Sequence, residues 1–128
     1  MLTPADIHDP KFRVALEAAD KALDEGDYAT AARTCAETYL MVLQQHPELV
    51  PEPAGQPGRA TGGSFASYLA SPRPVWPRTG GINIVVDQDR RPGLAFDKER
   101  FSFSEAAGYY EFLIGELWRL QQQEAERK

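Results

Sequence analysis

The sequence predicts a mainly α protein of the α+β kind: an antiparallel helical hairpin and a C-terminal helix forming a small bundle, with a long Pro/Gly-rich loop and one β-hairpin. Three observations lead there. Apolar residues recur at helical spacing over residues 9–46 and again over 102–125. Seven of the ten prolines and five of the ten glycines fall within residues 47–80. A short alternating stretch, residues 81–101, separates that loop from the last helix. At 128 residues the chain has the length of a single domain, 1–128.

The first helix starts at Asp9-Pro10, a capping residue followed by proline at a position whose backbone N–H would have no helical partner. Phe12, Leu16, Ala19 and Leu23 then mark one face. Gly26 suits a left-handed C-cap, and Asp27 suits the N-cap of a second helix that runs to His46 and stops at Pro47. Tyr28, Ala31, Cys35, Tyr39, Val42 and His46 form the apolar face of this helix. So short a connection makes the two helices antiparallel, with Ala18, Ala19, Ala22, Ala31 and Ala32 allowing close approach.

Residues 47–80 read as loop, because proline removes backbone donors and glycine raises the entropy cost of ordering. One short helix, Ser64 to Ala70, fits inside it. A loop of this length in a compact domain is usually functional or mobile. Ile82, Ile84 and Val86 alternate as a strand. Asp87 to Gly93 (DQDRRPG) supplies turn chemistry, and Leu94 and Phe96 resume the alternation. Ser102-Phe103-Ser104-Glu105 is an S-x-x-E capping box, with Phe101 and Ala106 placed as a hydrophobic staple. The last helix carries Ala106, Tyr110, Leu113, Leu117 and Leu120 as its stripe, widened by Ile114 and Trp118. Its tail, QQQEAERK, reads as a fraying end, and Glu111 and Glu116 as a charged solvent face.

Composition narrows the function classes. The net charge is −5, divided as −6 over residues 1–52, +3 over 53–80 and −2 over 81–128. An acidic chain with so sparse a basic patch is a poor nucleic-acid binder. No apolar run approaches the roughly 18 residues of a membrane span, and MLTPADIHDP lacks the features of a secretory signal, so the expected compartment is the cytoplasm. The Ala/Arg/Glu-rich texture points to a bacterial source.

The segment GDYATAARTCAETYLMVLQQHP resembles the second half of a tetratricopeptide unit, with Gly26, Tyr28 and Ala31 at that repeat's turn glycine, tyrosine and small alanine. Cys35 stands where the repeat has a bulky aromatic, and no second copy follows at its period. The order of elements also resembles the HEPN-type bundles, small prokaryotic helical domains with a variable loop before a final helix. The HEPN ribonucleases carry an arginine followed four to six residues later by histidine. Here Arg33 has no such partner, the only histidines being His8 and His46. The resemblance therefore implies the binding role of the non-catalytic members.

Candidate chemistry thins out on inspection. Cys35 lies on an inner helix face, and His46 is about 16 Å further along, too far to act as its base. With two histidines and no H-x-x-x-H, no metal site is expected. His46 reads as a helix C-terminal cap. Asp87-Gln88-Asp89 begins like a cation loop, but Arg90 and Arg91 follow and fit a solvated turn. Arg59-Ala60-Thr61-Gly62-Gly63-Ser64 lacks the lysine of a P-loop. Ser71-Pro72-Arg73-Pro74-Val75-Trp76-Pro77-Arg78 holds one P-x-x-P, either an exposed recognition segment or a stiff loop whose Trp76 plugs the core.

Two functions remain in view. One is a non-catalytic protein-interaction or assembly module, pairing with another protein or with itself as a homodimer through Trp76, Ile114 and Trp118. The alternative is a small-molecule binder or enzyme holding an anionic ligand with Arg59, Arg73, Arg78, Tyr68 and Tyr110. No catalytic residue and no cofactor is assigned in either case.

Overall fold

The computed structural model describes residues 1–51, 76–77 and 80–127. Three α-helices, α1 (Pro10–Asp24), α2 (Tyr28–Gln45) and α3 (Phe103–Glu126), form a bundle joined by a two-stranded antiparallel sheet, β1 (Ile82–Val86) and β2 (Pro92–Phe96). Two short 3₁₀ turns, Pro4–Asp6 and Pro47–Leu49, lie before α1 and after α2. The expected class and element order are those observed. Among the described residues no helix is long and apolar enough to cross a membrane.

Capping chemistry sets the helix ends. The Asp9 carboxylate accepts from the Lys11 backbone N–H at 2.9 Å, opening α1. At its other end Gly26 has φ +81°. The Gly26 N–H donates to the Leu23 carbonyl at 3.2 Å and the Asp27 N–H to Ala22 at 2.8 Å, the paired bonds of a Schellman motif. Asp27 then turns its carboxylate on the Thr30 N–H at 3.3 Å and begins α2. One residue thus ends one helix and starts the next, and the antiparallel hairpin follows.

α2 is the central element, lying against α1, α3 and β2. Its buried set, Ala31, Ala32, Cys35, Ala36, Thr38, Tyr39, Val42 and Leu43, covers more than one face because it has several neighbours to satisfy. Most of these side chains are small, which lets α1 approach closely. Thr38 is tolerated in the core because its hydroxyl donates back to the Thr34 carbonyl at 2.7 Å.

The sheet is paired Ile82–Phe96, Ile84–Leu94 and Val86–Pro92 on one face. Ile82 is fully buried, and Ile84, Val86 and Leu94 are half-buried against the helices. β2 begins at Pro92, two residues before the Leu94 at which side-chain alternation resumes. The turn between the strands is held by Asp87, whose carboxylate accepts from the N–H groups of Asp89 (2.9 Å) and Arg91 (2.8 Å). Arg90 takes a left-handed φ of +63°, and its guanidinium donates to the Val50 carbonyl at 3.1 Å. The DQD sequence is therefore a turn scaffold in which Asp87 Oδ1 is committed to backbone and Asp89 Oδ2 lies 3.9 Å from the Arg91 guanidinium.

α3 opens with the expected capping box: Ser102 Oγ accepts from the Glu105 N–H at 3.1 Å, and Glu105 accepts from the Ser102 N–H at 2.8 Å. Lys98 pairs with the other oxygen of Glu105. Phe101 and Ala106, flanking the box, are both buried. α3 differs from the expected helix in several respects, Trp118 standing exposed beside the stripe among them. Tyr109 is fully buried while Tyr110 is only half-buried. Glu116, expected on a solvent face, is 1% exposed and bound by Arg119 through two N–H donors at 3.1 and 3.0 Å. Helical order also persists through the polar tail to Glu126.

Candidate functional site

Trp76 is not an exposed recognition residue. It is 6% exposed, and its indole lies between the rings of Tyr39 (5.2 Å, 5°) and Tyr109 (4.6 Å, 14°), with Phe112 edge-on at 5.5 Å. Its Nε1 donates to the Ile82 carbonyl at 2.8 Å. The Ile82 N–H in turn donates to the Tyr109 hydroxyl at 3.0 Å. Two aromatic side chains thereby satisfy both backbone groups of the residue that opens β1, and Trp76 joins sheet to helices. Its assignment to a partner surface is corrected by this burial.

Ile114 is corrected for the same reason, being 5% exposed within the core cluster. Tyr110 is half-buried, near enough to Asp20 of α1 and Cys35 of α2 for both to act on its hydroxyl. Burial first, and those two groups next, push it up to about 12. Tyr110 is thus a neutral phenol packed against the core. Arg59, Tyr68, Arg73 and Arg78, with the Ser64–Ala70 helix, lie outside the described residues. Trp118 remains on the surface at 40% exposure, seven residues after the exposed Glu111 and fourteen after the exposed Ser104. Between Glu105 and Gln122, Glu111 and Trp118 are the exposed positions of α3, so they define its narrow solvent stripe.

Cys35 is fully buried, and burial pushes its thiol up to about 12. A thiol held protonated in this way is a poor nucleophile. Among the described residues no group of three or more His, Cys, Asp and Glu side chains is placed to hold a metal ion.

The structure places a concavity where sequence reasoning saw none. At the end of the bundle where α1 begins and α2 and α3 finish, a cavity of about 300 Å³ opens to solvent. Its apolar wall is built from Ile7, Phe12, Val42, Leu117 and Leu120, and its polar rim from His8, Asp9, Gln45, His46, Gln121 and Glu124. Both histidines of the chain stand on it. His46 ends α2, and its Nδ1 lies 3.2 Å from Glu48. The Glu48 carboxyl is held below its ordinary value by its own backbone hydrogen bond first and by His46 among the further causes.

Two side chains fix the lip of this cavity. Gln121 donates to the Asp6 carbonyl at 2.8 Å and accepts from the His8 N–H at 2.7 Å. Arg13 donates to the carbonyls of Ile7 (2.9 Å) and His8 (3.0 Å). The segment before α1 is therefore held between α1 and α3, and Ile7 is buried beneath it. A signal for this convergence exists in the sequence. His8 stands just before the start of α1 and His46 just after α2, and an antiparallel hairpin brings those two ends together.

A second, shallower concavity lies between α2 and the end of β2. It is lined by Arg33, Glu37 and residues 96–99. Arg33 lies over the Phe96 ring at 5.6 Å there, and Lys98 is paired with Glu105, so both cations are already engaged.

These features define a small helical bundle with a surface tryptophan and a cavity at one end. No family model, curated protein or solved structure matches the chain.

Proposed function

We propose that the chain is a non-catalytic interaction module that associates with another protein chain, a second copy included, through the solvent stripe of α3. The observation that carries this is Trp118, a large amphipathic ring left 40% exposed on a helix whose other apolar side chains are mostly covered. Tryptophan is the residue type most often found to anchor protein interfaces. Neighbouring Glu111 supplies a polar rim on the same stripe. The likeness of the first hairpin to non-catalytic HEPN-type bundles supports a binding role, and the buried, protonated Cys35 weighs against a thiol enzyme.

The test is sedimentation and native mass spectrometry of the purified chain, alone and with any protein it co-purifies with. A mass of twice 14.2 kDa, or of the chain plus a defined partner, is expected. Trp118→Glu should abolish it while far-ultraviolet circular dichroism stays unchanged. Monomeric behaviour of both forms, or association indifferent to the substitution, sinks the proposal.

A further inference from the structure

We infer that the cavity at the end of the bundle binds a small hydrophobic ammonium ion, an alkyl or aryl amine in its protonated form. This inference is independent of the α3 stripe. The cavity, at about 300 Å³, is at the lower end of the range that holds small ligands. Its wall is hydrocarbon and phenyl, which suits the apolar body of such a molecule. The sign of the charge follows from the rim. Asp9, which caps α1, and Glu124 of α3 both stand on it, and among the described residues no lysine or arginine lines the cavity. α2 and α3 both finish here while α1 alone begins, so the negative ends of two helix dipoles outnumber one positive end at the opening.

Of the cations flanking the rim in sequence, Arg127 acts on the Glu48 carboxylate, and two others are engaged elsewhere. Arg13 is bound to the carbonyls of Ile7 and His8. The Lys11 ammonium lies over the Phe12 ring, 4.8 Å from its centroid. That contact also shows the chemistry in miniature: the phenyl ring that walls the cavity already accepts an ammonium ion on one face. A carboxylate or phosphate ligand would meet two carboxylates and two helix C-termini, against the single N-terminus of α1.

The experiment is a ¹H–¹⁵N correlation titration with three probes of similar shape at fixed ionic strength: phenethylammonium, 2-phenylethanol and 3-phenylpropionate. Phenethylammonium should shift the amides of residues 8, 46, 121 and 124 and saturate. Its affinity should exceed that of the carboxylate by at least about tenfold, as expected for opposite against like charge at a partly desolvated rim. Glu124→Gln alters an exposed side chain and should weaken the ammonium roughly twofold to fivefold. Leu120→Lys places a tethered ammonium in the opening and should abolish binding, with circular dichroism as the check on folding. Equal affinity for the three probes overturns the charge assignment. Shifts located elsewhere, no saturation, or indifference to Glu124→Gln overturn the site.

Discussion

Tyr109 shows how much one side chain can organise. Its ring stacks on Trp76, its hydroxyl takes the N–H of Ile82, and Gly80 passes so close that a Cβ there would overlap the phenol oxygen. Tyr109→Phe keeps the stack and removes the acceptor, leaving a buried N–H without its partner. A loss of about 1–3 kcal/mol is expected, measured by urea denaturation with an unchanged slope. Helical spacing around Cys35 foretells its burial, because a free cysteine amid Ala31 and Tyr39 behaves as a small apolar residue. Glu116 could not be recognised as buried in this way. A carboxylate on an apolar stripe reads as solvent-facing unless its guanidinium is known to fold back, and Arg119 does so only when neighbours enclose both groups.

At the scale of elements, the sequence is legible wherever an end is written in local chemistry. Asp9-Pro10, Gly26-Asp27 and Ser102-x-x-Glu105 each close a helix with hydrogen bonds inside four or five residues, so neither tertiary context nor length is needed to find them. The β-hairpin is less sharply bounded, since Pro92 and Gly93 belong to a strand only because they face Val86 and Val85. Gly26→Ala isolates the value of the first cap. The added Cβ meets nothing within 4 Å, so the cost is the left-handed backbone alone. It should come to about 1 kcal/mol, read as a lower denaturation midpoint with helicity retained.

At the scale of the molecule, three acidic protons among the described residues are held more tightly folded than unfolded. Burial is the leading cause for Cys35, Tyr109 and Tyr110 alike. A group whose folded value is raised contributes fully below its unfolded value and loses that contribution as pH climbs toward the folded one. Stability should therefore hold up to the ordinary thiol value of 9.0 and fall steadily toward about 12. A pH series of thermal melts with tyrosinate absorbance at each step checks this, and a flat profile above pH 9 would contradict it. The cavity was the least legible feature at this scale. Its lining comes from three stretches of chain, and only the antiparallel pairing of α1 and α2 makes His8 and His46 neighbours.

The bonds from Gln121 to Asp6 and His8 span more than a hundred residues. During synthesis, α1 and α2 leave the ribosome long before the helix that packs against α2 and holds the segment before α1. The early hairpin can zip locally from its shared cap at Asp27, but its inner face stays open until α3 emerges. Docking of α3 then secures the aromatic stack and the lip of the cavity together. A nascent chain halted before residue 103 would leave open the apolar side of α2 that α3 otherwise covers.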